Sequence, residues 1–228
     1  MKKVRLLLQN PFQDPKITTL RLVLFGQNAQ QALKDGYVEI AGIIGDRIER
    51  VVVTLGTLNK GAAEQVGSTR ALTAFKRKLH TFMKNHQDGL SVALGGRDTK
   101  AYLAFLPEGI TEFNRMNHTG APVTLQRIGQ ALAEHGAALP DALRTGLQGL
   151  YQQWTELRTS QQYLMETLDA RRSTRDTERI ALEEALLKAV HLVALDHLGK
   201  PEAAEHFFNF GLLVGKKAKK EAAVTATV

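Results

Sequence analysis

Residues 141–198 read DALRTGLQGL YQQWTELRTS QQYLMETLDA RRSTRDTERI ALEEALLKAV HLVALDHL, and this stretch decides the fold class. It contains no proline, and no glycine interrupts it between Gly149 and Gly199, so nothing in it breaks a helical hydrogen-bond ladder. Leu147, Leu150, Trp154, Leu157, Leu164 and Leu168 form one apolar stripe at helical spacing; Leu182, Leu186, Val190 and Val193 form the next. Between them lies the polar run 169–179. It reads either as a hairpin turn with Ser173 or Thr174 capping a second helix, or as the solvated middle of one rod laced by pairs such as Arg172 with Asp176. Leu168 and Leu182 stand two heptads apart, which keeps the stripe in phase and favours the rod. The rarity of helices that long tips the balance slightly to the hairpin.

Outward from this stretch the helical reading continues. Pro122 opens a helix whose Leu125, Ile128 and Leu132 share a face and which Gly136 ends. A short helix is expected over 100–105, and another from Pro107 to about Asn117. Leu72, Phe75, Leu79, Phe82 and Met83 predict a helix over 68–86, with Ser68 or Thr69 as its cap. The segment 37–58 is the hardest test, because its valines and isoleucines have strand preference and Gly42 and Gly45 weaken a helix. Ile40, Ile44, Ile48, Val51, Leu55 and Leu58 are spaced by threes and fours, whereas strict alternation would put Asp46 and Arg50 on the apolar face. A helix is therefore expected there, with a β-hairpin as the alternative. Leu20, Val23 and Leu24 predict a helix from Ile17 to a stop at Gly36, preceded by an irregular lead-in over 1–16. Pro201 starts a last helix carrying His206 to Phe210, and the lysine-rich run 215–220 leads into a plain, frayed tail. The expected architecture is an all-α helical bundle of about eight helices with long antiparallel members. It divides into a basic N-terminal half, 1–92, and a C-terminal half, 93–228, that break near 88–100, with one continuous domain as the alternative.

Composition bounds the setting. With 43% hydrophobic and 23% charged residues and a mean hydropathy of -0.19, the chain has a globular balance. No cysteine occurs, which excludes disulfides, thiolate metal sites and cysteine nucleophiles. The opening Met1 to Leu8 imitates a signal peptide, but Gln9, Asn10 and Pro11 cut its apolar stretch short. The apolar segment 37–58 carries Asp46, Arg47, Glu49 and Arg50 and will not cross a bilayer. A cytoplasmic, bacterial-type protein without a membrane segment is expected. The net charge of +7 is uneven: residues 1–100 hold 16 Lys or Arg against 8 Asp or Glu, and residues 101–228 hold 14 against 15.

Motifs for chemistry are sparse. Gly56 and Gly61 keep the glycine interval of a phosphate loop, but Ala62 and Ala63 stand where lysine and a hydroxyl are needed. The seven histidines show no pair at i and i+4 and no Glu-x-x-His; Glu202 with His206, near Asp196 and His197, is the nearest to a metal or acid-base cluster. No cofactor, metal or catalytic residue is expected. The strongest feature is the window 65–87, free of acidic residues, with Arg70, Lys76, Arg77, Lys78, Lys84, His80 and His86. Arg70, Arg77 and Lys84 recur every seven residues and place three cations on one stripe, the pattern of an anion- or nucleic-acid-binding face. A solvated basic face, or one paired with acids of the second half, is the competing reading. The sequence thus points to a non-enzymatic helical scaffold or protein-interaction module, self-associating or binding a protein partner. The alternatives are a nucleic-acid binder using the helix 68–86 and a helical-bundle enzyme or metal protein.

Overall fold

The structure, a computed structural model, describes residues 9–214. The expectations for the opening residues 1–8 and for the tail from Gly215 onward lie outside the described residues. Among the described residues there is no strand, and the protein is all-α. In chain order the helices are α1 Thr19–Leu33, α2 Val38–Ala93, α3 Lys100–Phe105, α4 Thr111–Arg115, α5 Ala121–His135, α6 Asp141–Leu147, α7 Leu150–Asp196 and α8 Pro201–Glu205.

The run that decided the fold is one helix: α7 continues without a break for 47 residues, and the expected hairpin over 169–179 does not form. Of the two residues expected to cap a second helix, Thr174 bonds backward inside the first, its hydroxyl donating to the Ala170 carbonyl at 3.1 Å, and nearby Thr177 donates likewise to the Ser173 carbonyl at 3.1 Å. Such bonds satisfy a hydroxyl without opening the ladder. Leu168 and Leu182 are both buried, as two heptads in phase require. The start of α7 is set by Gly149, whose φ of 72° ends α6 in a conformation that a side chain would strain.

Likewise α2 is one helix of 56 residues where two were expected. The spacing test over 37–58 holds: Ile40, Ile44, Ile48 and Val51 are all buried on one face. Where Gly45 lies in this helix, the Gln30 side chain of α1 crosses its surface and would have to move to admit a Cβ. Neither Ser68 nor Thr69 begins a helix. Thr69 lies mid-helix, donating to the Gln65 carbonyl at 3.0 Å and accepting from Gln161 Nε2 of α7 at 3.0 Å.

The chain forms two compact units, 1–59 with 170–228 and 60–169. The first unit gathers Leu22 and Phe25 of α1, Ile44 and Val51 of α2, and Leu182, Leu186 and Val193 of α7 into its core. Arg179 of α7 closes that core's edge: its Nε bonds Glu183 at 2.7 Å, and its two terminal nitrogens bond the Thr19 hydroxyl at 3.1 Å and the Ile17 carbonyl at 2.8 Å. Helix α8 is shorter than expected, ending at Glu205; Phe208 and Phe210 pack on Phe25 with ring centroids 6.2 and 5.6 Å away.

The second unit is built on Leu72, Met83, Leu90, Phe105, Phe113, Leu125 and Trp154. Within it α2 and α7 run antiparallel, since Thr69 meets Gln161 while Phe75 meets Trp154, at 5.6 Å between ring centroids. The segment 88–100, where the sequence changes character, is a reversal inside this unit. Gly95 and Gly96 take positive φ, and Thr99 caps α3 by accepting from the Tyr102 amide at 3.2 Å. Pro107 lies in a turn ahead of α4 rather than in its first turn, while Pro122 does sit in the first turn of α5. Arg127 of α5 fixes α3 and α4: one terminal nitrogen bonds the Ala104 and Phe105 carbonyls at 2.7 and 3.0 Å, and the other bonds Glu112 at 2.5 Å. Those carbonyls end α3 and lack helical partners, so the guanidinium serves as its C-cap.

Candidate anion-binding face

The window 65–87 lies wholly in the second unit, on α2. Leu72, Phe75, Leu79 and Met83 are buried, and Arg70, Arg77 and Lys84 lie exposed on the side roughly opposite. Lys76 and His80 are half-buried on one shoulder of the helix; Lys78 is exposed on the other. The five cations singled out from the sequence therefore do not form one patch.

Two grooves flank the helix. One, of about 430 Å³, has an apolar floor of Phe75, Leu79, Phe82, Leu150 and Leu157, shallow walls at Ala71, Ala74 and Gly146, and Lys78 with Gln153 at the rim. A Cβ at Gly146 would stand 2.4 Å from the Phe82 ring, so glycine is what lets α6 approach that side chain. The other, of about 370 Å³, is lined by Thr73, Lys76, Arg77, His80 and Thr81 of α2 and by Phe113 and Asn114 of α4. Lys76 and Arg77 share this groove, Lys78 belongs to the apolar one, and Arg70 and Lys84 line neither.

Among the described residues, none of Arg70, Lys76, Arg77, Lys78 and Lys84 pairs with a carboxylate. Two acids of the second half pair instead with other cations, Glu112 with Arg127 and Asp141 with Arg144. His118 reports the resulting field. Its ring lies edge-on to Trp154 at 5.9 Å, and its pKa is held below the usual histidine range by burial first, then by the charges of Arg158 and Lys76.

That shift has a consequence for stability. The unfolded chain takes up a proton on His118 near pH 6.5, whereas the folded chain resists it, so the unfolded state binds more protons as the pH falls. The stabilisation is complete above about pH 6.5 and is lost progressively below it. Urea midpoints followed by the fluorescence of Trp154, the one tryptophan, will fall between pH 7.5 and pH 5.5, and His118→Gln will reduce that fall. Equal falls in both proteins would refute the assignment.

Other candidates from the sequence are dispersed. Gly56 and Gly61 lie inside the continuous α2 and form no phosphate-cradling loop. Among the described residues no group of three or more His, Asp or Glu side chains is placed to hold a metal ion. His197 packs on Phe207 at 5.8 Å, and Asp196 acts on Tyr37, whose pKa is raised by burial and then by that carboxylate. Among the described residues no helix is long and apolar enough to cross a membrane.

Sequence reasoning did not find Thr73, Thr81, Phe113 and Asn114. The two threonines were legible, since 73, 76, 77, 80 and 81 follow the three-four spacing of one helix face. Phe113 and Asn114 reach the groove only through the Arg127 contacts that place α4, which no local pattern announces. No family model, curated protein or solved structure matches the chain.

Proposed function

We propose that this protein is a non-enzymatic helical interaction module, and that its second unit receives an amphipathic helical segment with an acidic flank. The supporting observation is the apolar groove beside unpaired cations. Phe75, Leu79, Phe82, Leu150 and Leu157 offer a floor for apolar anchors at helical spacing, and Ala71, Ala74 and Gly146 allow a backbone to come close. Lys78 on the rim, with Arg70 and Lys84 beyond it, lacks a carboxylate partner among the described residues, so an acidic flank complements these cations.

A labelled synthetic helix with leucines at i, i+4 and i+7 and glutamates alongside tests this by fluorescence anisotropy against a scrambled peptide of the same composition. The helix will bind preferentially. Ala74→Arg, which fills the groove while adding positive charge, and Lys78→Glu will each weaken binding about tenfold or more. Equal binding of the scrambled peptide would overturn the reading. Mass that grows with chain concentration in light scattering, abolished by Ala74→Arg, would instead identify the occupant as a second copy.

The unpaired cations also favour a second reading, binding of nucleic acid through its phosphates, sensitive to salt and tolerant of sequence. Anisotropy titrations of labelled DNA and RNA at low salt will then show binding that Arg77→Ala with Lys78→Ala weakens. No binding at micromolar protein would dismiss it.

A further inference from the structure

Independently of the apolar groove, we infer that the polar groove between α2 and α4 is a binding site for a small phosphomonoester dianion, its phosphoryl group held by Lys76, Arg77 and His80.

The lining sets the ligand chemistry. Lys76, Arg77, His80, Thr81 and Asn114 can donate hydrogen bonds, the Thr73 hydroxyl being given to the Thr69 carbonyl, and no carboxylate is among the lining residues to compete for the cations. Two fixed positive charges match the charge of about -1.5 to -2 that a phosphomonoester carries near neutral pH. A diester presents only two unesterified oxygens and a single charge, and leaves much of this donor set without a partner. The five helical positions lie within about two turns, so the donors rise from one side of a rigid element rather than from separate loops. Lys76 is half-buried and pairs with no carboxylate among the described residues. At about 370 Å³ the groove exceeds a bare phosphate and leaves room for the group that the phosphate esterifies.

The proposal differs from both readings above in ligand, and from the first of them in place. Arg77 lines this groove, whereas Lys78 faces the apolar one, so the two variants separate the sites.

The test titrates the full chain with phenyl phosphate, inorganic phosphate and diphenyl phosphate, following the ring-proton resonances of His80, assigned by their loss in His80→Gln. Phenyl phosphate will shift them saturably with one site per chain, and inorganic phosphate will do so more weakly. Lys76→Gln and Arg77→Gln will each weaken binding about tenfold, as removal of a charge-assisted contact does, while Lys78→Gln leaves it unchanged. Unshifted far-UV circular dichroism will show that each variant folds. No saturable shift with phenyl phosphate at tens of millimolar would overturn the proposal. So would equal loss in Lys78→Gln, or diphenyl phosphate or a labelled oligonucleotide binding as well as the monoester, either of which makes the face a general polyanion surface. Failure of the synthetic helix to bind would leave this result unaffected.

Discussion

Ser173→Pro will destabilise the protein by about 3 kcal/mol or more. Ser173 is exposed and lies in the interior of α7, so the substitution touches no core contact. It removes one amide donor from the ladder and drives the ring into the carbonyl one turn earlier. Had residues 169–179 formed a hairpin, position 173 would lie at a helix start, where proline is tolerated. Urea unfolding followed by circular dichroism separates the two cases, with Ser173→Ala as a control expected to stay within about 0.5 kcal/mol of the parent. A proline variant with an unchanged midpoint would disprove a continuous α7.

Arg179→Met will cost a comparable amount, about 3–5 kcal/mol. Glu183 is only 3% exposed, and Arg179 is its partner at 2.7 Å, so removing the guanidinium leaves a carboxylate buried without compensation. The same change frees the Ile17 carbonyl and the Thr19 hydroxyl and loosens the attachment of α1's start to α7. Arg179→Met combined with Glu183→Leu will recover much of the loss, because the isolated buried charge goes with its partner. If the double variant is no more stable than Arg179→Met alone, the cost lies in the contacts to Ile17 and Thr19 instead.

Much of the fold was legible because it rests on periodicity. Ile40 through Val51 keep their spacing and are buried, and Leu125 and Ile128 of α5 are buried on the face expected for them. What misled was punctuation. Ser68, Thr69, Ser173 and Thr174 resemble caps, yet in a helix whose neighbouring face packs on another, a hydroxyl can bond backward to a carbonyl instead. Gly42 and Gly45, which were expected to weaken a helix, lie together with Gly56, Gly61 and Gly67 in an uninterrupted one. Their cost of about 1 kcal/mol each is spread along α2, where burial of Ile44, Leu72 and Leu90 offsets it. The basic window was equally visible, but its division was not. Whether Lys76 and Lys78 share a surface depends on where α4, α6 and α7 pack around α2, and that is set by residues far away in sequence, Arg127 and Gly146 among them.

The second unit, 60–169, sits in sequence between the two pieces of the first. During synthesis the ribosome therefore completes the inner unit before the outer one. Phe25, Ile44 and Val51 are made early, but Leu182, Leu186 and Val193, which cover them, emerge only after the inner unit is whole. At about 5–20 residues per second, the interval from residue 169 to residue 193 is roughly 1–5 s. Throughout it the outer unit's apolar face is open to chaperones or to neighbouring nascent chains.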